Sequence, residues 1–293
     1  MNLSQLKYFK TVCDFGKVSA AAEYLHISQP SVSNSIKELE REFGIILFKR
    51  HHGGMQLTNE GMCFLKHAND LLLRAEQIEH IMCNMGNDRK ILRLGIPPMI
   101  GAIILPHIYR EFSILYPDIT LEITEGGRNE LYEKLNDDYL DMIFIPHSNY
   151  IDNNLSSLHI SRLELVCCMH KNNALSLKKE ITPYDLKNAP VALFNDSFFQ
   201  TKQIKKWFEE GNIIPHIIIH TGQLSTIQSL VSNNTAIGFM FEKLIDSNSN
   251  IIHVPIRNAI YTDISLVWKK EAYMLACMKS FKSYIAKSNI FKY

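Results

Sequence analysis

Residues 28–43 read Ser28-Gln29-Pro30-Ser31-Val32-Ser33-Asn34-Ser35-Ile36-Lys37-Glu38-Leu39-Glu40-Arg41-Glu42-Phe43. At about 100° per residue, Val32, Ile36, Leu39 and Phe43 fall in one narrow stripe, the core face of a helix. Ser28 is placed to cap that helix, and Pro30 falls in its first turn, where the missing N–H costs nothing. Opposite the stripe stand Pro30, Ser33, Asn34, Lys37 and Arg41, short and polar at one end and basic further along. Such a face fits a DNA major groove, because Asn can pair bidentately with adenine and Lys or Arg can reach guanine or phosphate. A solvated surface helix would carry the same row, so the flanking sequence has to decide.

Upstream, Leu3, Leu6, Phe9 and Val12 recur at helical spacing and predict a helix over 3–15, closed by Gly16. Ser19 is expected to cap a second helix, whose Ala20-Ala21-Ala22 lets a neighbour approach closely. Downstream, Gly44 ends the third helix. Residues 47–58 then hold two short strand-like pieces around Gly53-Gly54, a wing carrying Lys49 and Arg50. Over its 293 residues the chain balances 31 Lys and Arg against 30 Asp and Glu. A polyanion contact must therefore come from this local patch and not from bulk charge.

Together these motifs resemble the winged helix-turn-helix of LysR-type transcriptional regulators across residues 1–65. The resemblance is carried by Ser19-Ala20-Ala21-Ala22-Glu23 and by Leu25-His26-Ile27-Ser28-Gln29-Pro30-Ser31-Val32-Ser33. It continues through Ile36-Lys37, Leu39-Glu40, Leu47-Phe48, Arg50, Leu57-Thr58 and Gly61. It implies that Gln29, Pro30, Ser31, Ser33, Asn34 and Lys37 face double-stranded DNA, and that Arg50 holds the backbone at the wing. Many relatives carry arginine where Asn34 and Gly53 stand here; both losses of charge should lower non-specific affinity and its salt dependence.

Phe64, Ala68, Leu71, Ala75, Ile78, Met82 and Met85 follow alternating steps of four and three, a heptad seam that asks for a partner helix. The resemblance identifies it as the linker through which the family dimerises, and implies a homotetramer on an interrupted palindromic operator. Met85-Gly86-Asn87-Asp88 should end the helix and form the hinge.

From residue 91 short apolar strands alternate with helices, which predicts parallel sheets covered by helices. The pattern resembles the α/β, two-lobed, periplasmic-binding-protein-like effector domain of the same family. Three parts are expected: a winged helix-turn-helix over 1–58, a linker helix over 59–88, and an effector-binding domain over 91–293. Lobe I would take 91–160 with 266–293, and lobe II 161–265. In open α/β sheets ligands gather beyond the carboxyl ends of strands, near helix N-termini. That rule selects Pro98, Met99, Ile100 and Gly101, then Asn195, Ser197 and Phe198, then Gln223 and Ser225, with Arg128 as a counter-charge. Relatives often carry a hydroxyl where Met99 stands; with Ile100 and Phe198 it predicts a greasy cleft for a small organic acid with an apolar tail.

Other classes find little support. There is no Gly-rich phosphate loop, no G-x-S-x-G and no H-E-x-x-H, so catalysis is not expected. The six cysteines have no metal-ligand spacing, and neither metal nor cofactor is expected. No run approaches 18 apolar residues and no leader precedes the first helix, which predicts a cytoplasmic protein without a membrane span. Cys167-Cys168 leaves a redox-sensing regulator as the alternative, although adjacent residues on a strand point to opposite faces and cannot easily bridge each other.

Overall fold

In the computed structural model the described residues are 1–51, 54–86, 90–147, 151–246 and 249–288, the side chains of Arg50 and Met85 excepted. They fall into two units, Met1–Cys83 and Asn84–Tyr293, taken here in turn.

In the first unit, α1 (Leu3–Phe15) starts on a capping box between Asn2 and Gln5. It ends on Gly16, whose φ of 66° is the left-handed conformation that glycine adopts without penalty. The next helix, α2 (Val18–Tyr24), is not capped by Ser19 as expected. It begins two residues earlier than that cap would set, at Val18, behind an extended Lys17 that offers no side-chain oxygen. The third, α3 (Gln29–Phe43), has Ser28 as its N-cap and a left-handed Gly44 behind it. Leu6, Phe9, Val12, Ala21, Ala22, Val32, Ile36, Leu39 and Leu47 form one buried cluster. Phe43 departs from the predicted stripe: it is 44% exposed, with its ring 5.6 Å from that of Phe64 at the margin of the core. The wing is an antiparallel pair, β1 (Phe48–His51) with β2 (Gly54–Leu57). Gly53 lies outside the described residues.

The long helix α4 (Asn59–Gly86) divides the heptad seam between two uses. Ala68 is buried in the first unit's own core, and Phe64 packs edge-on against Phe9 at 5.0 Å. Leu71, Ile78 and Met82 are exposed at 45%, 60% and 54%. The expected continuous seam is therefore corrected: its N-terminal members pack within their own domain, and the later ones leave an apolar strip in solvent. The hinge residues Asn87 and Asp88 lie outside the described residues.

In the second unit, β3 (Lys90–Ile96) runs parallel to β4 (Ile119–Glu125) and β5 (Met142–His147). Two long strands, β6 (Leu155–His170) and β11 (Ile260–Lys269), pair antiparallel, and β11 also pairs antiparallel with β5. With β9 (Gly238–Phe241) and β10 (Ile251–Val254) on β6, they make one seven-stranded mixed sheet. A parallel pair, β7 (Pro190–Phe194) and β8 (His216–Thr221), stands beside it. Two separate parallel sheets were expected. The long strands instead carry seven strands into one mixed sheet and leave β7–β8 as a separate parallel pair. The β6–β11 register shifts at Ile264/Ser265, a β-bulge or comparable irregularity.

Five helices cover these strands: α5 (Pro98–Leu115), α6 (Arg128–Asn136), α7 (Phe199–Glu210), α8 (Leu224–Ser232) and α9 (Ala276–Lys287). Phe112 of α5 meets Phe281 of α9 edge to face at 5.1 Å, packing the two helices together.

Candidate functional site

Two places in the chain have the means to recognise something. The first is α3. The Ser31 N–H donates to Ser28 Oγ, and the two hydroxyls lie 2.7 Å apart, so the entry of the helix is held in one geometry. Gln29, Pro30, Ser31, Asn34 and Lys37 are exposed on its outer face, while Ser33 is half-buried. The acidic residues of α3 are occupied elsewhere: Glu38 accepts from Gln5 Nε2 at 3.0 Å, and Glu42 pairs with the N-terminal ammonium at 2.6 Å. That engagement turns negative charge towards α1 and leaves the outer face neutral to basic.

Glu40 has a role that sequence reading registered only as part of a motif. Its Oε1 accepts from Leu47 N at 2.8 Å and from Phe48 N at 3.3 Å, tying α3 to the start of the wing. Thr58 closes the other side: its hydroxyl donates to Ile46 O at 2.6 Å and accepts from Gly61 N at 2.9 Å. Arg50 sits on β1 opposite Met55, and its side chain lies outside the described atoms. Glu40→Ala removes the acceptor for two half-buried N–H groups and is expected to cost the domain about 1–3 kcal/mol. Glu40→Gln keeps a carbonyl oxygen there and should recover most of the loss. Urea melts of both variants check this, and equal losses would show that charge, not the acceptor, matters.

The second place is a cleft of about 450 Å³ in the effector-type unit. Pro98, Gly101, Ala102, Leu105, Pro106 and Glu125 line one side, and Gly222, Gln223, Leu224, Ser225 and Gln228 the other. Of the residues selected from sequence, Pro98, Gly101, Gln223 and Ser225 meet here. Met99 and Ile100 do not: they are buried with Ile103 and Ile104 on the core face of α5. Phe198 also turns inward, its ring 4.9 Å from Phe194. The greasy lining predicted from these three is thus core, and the apolar wall is built from Leu105, Pro106 and Leu224 instead. Asn195 and Ser197 are exposed on the β7–α7 turn, outside this lining. Ser197 approaches the β4–α6 turn closely, its Oγ 3.1 Å from where a Gly127 Cβ would stand. Arg128 stacks over Tyr132 at 5.3 Å and Phe199 at 5.5 Å, bridging α6 and α7.

None of the N-cap residues of α5, α6, α7 and α8 (Pro97, Gly127, Phe198, Gln223) caps its helix with a side chain. All four helices start beyond the carboxyl ends of strands, so their first-turn N–H groups and dipoles favour anions there. Sequence reading missed Glu125 and Gln228, whose placement depends on pairing between distant segments. It also missed His147, at the end of β5. Its Nε2 lies 2.9 Å from Ser265 Oγ, and its Nδ1 has no hydrogen-bond partner among the described residues. Burial lowers its pKa below the ordinary value, against the opposing pull of Asp263.

The redox alternative loses its basis. Cys167 and Cys168 are both fully buried, and burial raises the first thiol well above its ordinary range and the second to about 12. Neither supplies the exposed thiolate that oxidation requires. Among the described residues no helix is long and apolar enough to cross a membrane.

Residues 3–62 match the bacterial regulatory helix-turn-helix protein, lysR family, and residues 86–289 match the LysR substrate binding domain. The chain belongs to the LysR family. This LysR-type protein is 28% identical over 295 residues to the uncharacterized HTH-type transcriptional regulator YwbI of Bacillus subtilis, covering 97% of each chain. Its fold resembles that of full-length CbnR in complex with target DNA, with a TM-score of 0.74, 22% identity and coverage of 98% and 99%. The effector binding domain of QuiR in complex with shikimate aligns with 67% of the chain and 95% of that domain, at a TM-score of 0.58 and 22% identity. The LysR-type chain is accordingly a DNA-binding transcriptional regulator with an effector-binding domain, in a family of regulators and not of enzymes.

Proposed function

We propose that this LysR-type regulator reads an interrupted palindromic operator with α3 and responds to a small organic acid bound in the cleft between its lobes. The observation that carries the first half is the outer face of α3, where Asn34 and Lys37 stand exposed above a buried stripe and the helix's own carboxylates are engaged elsewhere. Gln29, Pro30, Ser31 and Ser33 complete the reading surface, with Arg50 on the backbone at the wing. The exposed strip on α4 supports a homodimer, and the tetrameric assembly of two such dimers suits a two-fold operator. A protein that acts on chromosomal DNA works in the cytoplasm. The division into 1–58, 59–88 and 91–293, with lobes meeting near 160 and 265, is the organisation this reading uses.

The organic-acid half rests on the uncapped N-termini of α5 and α8 at the cleft, supported by the shikimate held by the related QuiR domain. A ligand that bridges the lobes biases their geometry, and through the dimers the spacing of the DNA-reading helices. Asn34→Ala is expected to cost about 1–3 kcal/mol on the cognate site and little on random DNA. Gel-shift titrations against the DNA upstream of neighbouring genes test it. A loss of equal size on both DNAs would remove Asn34 as a base reader, and no protected sequence at any salt concentration would remove the operator.

A further inference from the structure

We infer that the ligand of the cleft carries an ammonium or comparable cationic donor as well as its acid group, so that the effector is a zwitterion of the amino-acid class. This rests on the inter-lobe cleft being the effector site, and it sharpens what the cleft accepts. Among the described residues lining it, Glu125 is the one ionisable side chain; the others are apolar, hydroxyl, amide or glycine. No lysine or arginine stands among them to neutralise it. Among the described residues Glu125 accepts no hydrogen bond and forms no ion pair. Arg128, three residues on, is held instead between the rings of Tyr132 and Phe199.

The backbone also places the carboxylate at the cleft wall. Glu125 ends β4, paired in register with Ile96 of β3, and its Oε1 lies 3.2 Å from where a Gly101 Cβ would stand, on the first turn of α5. Any larger side chain at 101 would push the carboxylate aside, so the glycine keeps it at the cleft wall. A plain carboxylic acid entering here meets a like charge that no cationic side chain in the lining offsets. A zwitterion meets complementary groups in two directions. Its carboxylate reaches the first-turn N–H groups of α8 beside Ser225, and its ammonium donates to Glu125, a charge-assisted bond. The remainder of the ligand lies along Leu105, Pro106 and Leu224. A volume of about 450 Å³ is within the usual range for a small-molecule site.

The full-length chain and its Glu125→Gln variant are titrated calorimetrically with the standard amino acids, each set against the carboxylate lacking the amino group, such as leucine against isocaproate and phenylalanine against hydrocinnamate. We expect at least one amino acid to bind, its des-amino partner to bind about tenfold more weakly or worse, and Glu125→Gln to erase that difference; tenfold corresponds to about 1.4 kcal/mol. Glu125 is exposed, so the variant should melt with the wild type. If the des-amino acids bind as well as or better than the amino acids, or gain affinity in Glu125→Gln, the cationic donor is overturned while the organic-acid reading stands. If neither series binds, the inference is overturned too, and gel shifts on the same sample show whether DNA reading survives independently.

Discussion

Ile78→Glu converts the regulator to monomers in light scattering at micromolar concentration and lowers operator affinity by about a hundredfold or more. Leu71, Ile78 and Met82 are spaced by seven and four residues on α4 and together expose an apolar strip that the rest of the domain does not cover. Burying each such side chain against a partner contributes about 1.5–3 kcal/mol, and two-fold symmetry counts each position twice. A carboxylate at 78 removes that gain and adds the cost of burying a charge without a counter-ion, several kcal/mol in each copy. The substitution is silent within the monomer, because Ile78 is 60% exposed. Unchanged helix content with a mass that falls to that of a single chain is the expected pair of results. A dimer that survives Ile78→Glu would mean that α4 is not the interface.

Gly61→Ala is expected to cost the DNA-binding unit roughly 3 kcal/mol. A Cβ at 61 would stand 2.2 Å from the Leu47 carbonyl oxygen and 2.9 Å from Leu57 Cδ2. The first of these contacts is backbone and cannot rotate away. That carbonyl also accepts from Thr58 N at 3.0 Å, so relieving the clash pulls apart the base of the wing and the Thr58–Gly61 bond with it. Specific and non-specific DNA binding should fall together, since wing contacts position without reading bases. Denaturant melts of wild type and variant check the stability; a change below about 0.5 kcal/mol would show that α4 can slide off β1 at no cost.

Much of the DNA-binding unit could be read from sequence because its signals are local. The 3.6-residue period of Leu6, Phe9 and Val12, the cap at Ser28 and the glycines at 16 and 44 each act within a turn or two of helix. The structure agrees at all of them. Errors appear where distant groups compete for a residue. Phe64 and Ala68 have the spacing of a dimer seam, yet α1 and α3 reach them first within the same domain. Ser19 could cap a helix, but the helix starts two residues earlier than that cap would set, at Val18, soon after the left-handed Gly16.

In the second unit the strands and helices were legible, but the partners of β6 and β11 were not, and those two strands bring seven strands into one mixed sheet beside the β7–β8 pair. Met99 and Ile100 sit in the right loop yet face the core, because whether a side chain at a helix start lines a cleft or fills it depends on which neighbour packs beneath. The amino-acid sequence by itself determined the element types, the buried stripe of α3 and the family. The tertiary structure alone decided that Glu40 holds the wing, that α4 keeps its apolar strip in solvent, and that Glu125 stands in the cleft. The reason is physical: periodicity and capping act over a few residues, whereas these placements depend on close approaches between segments far apart in the chain.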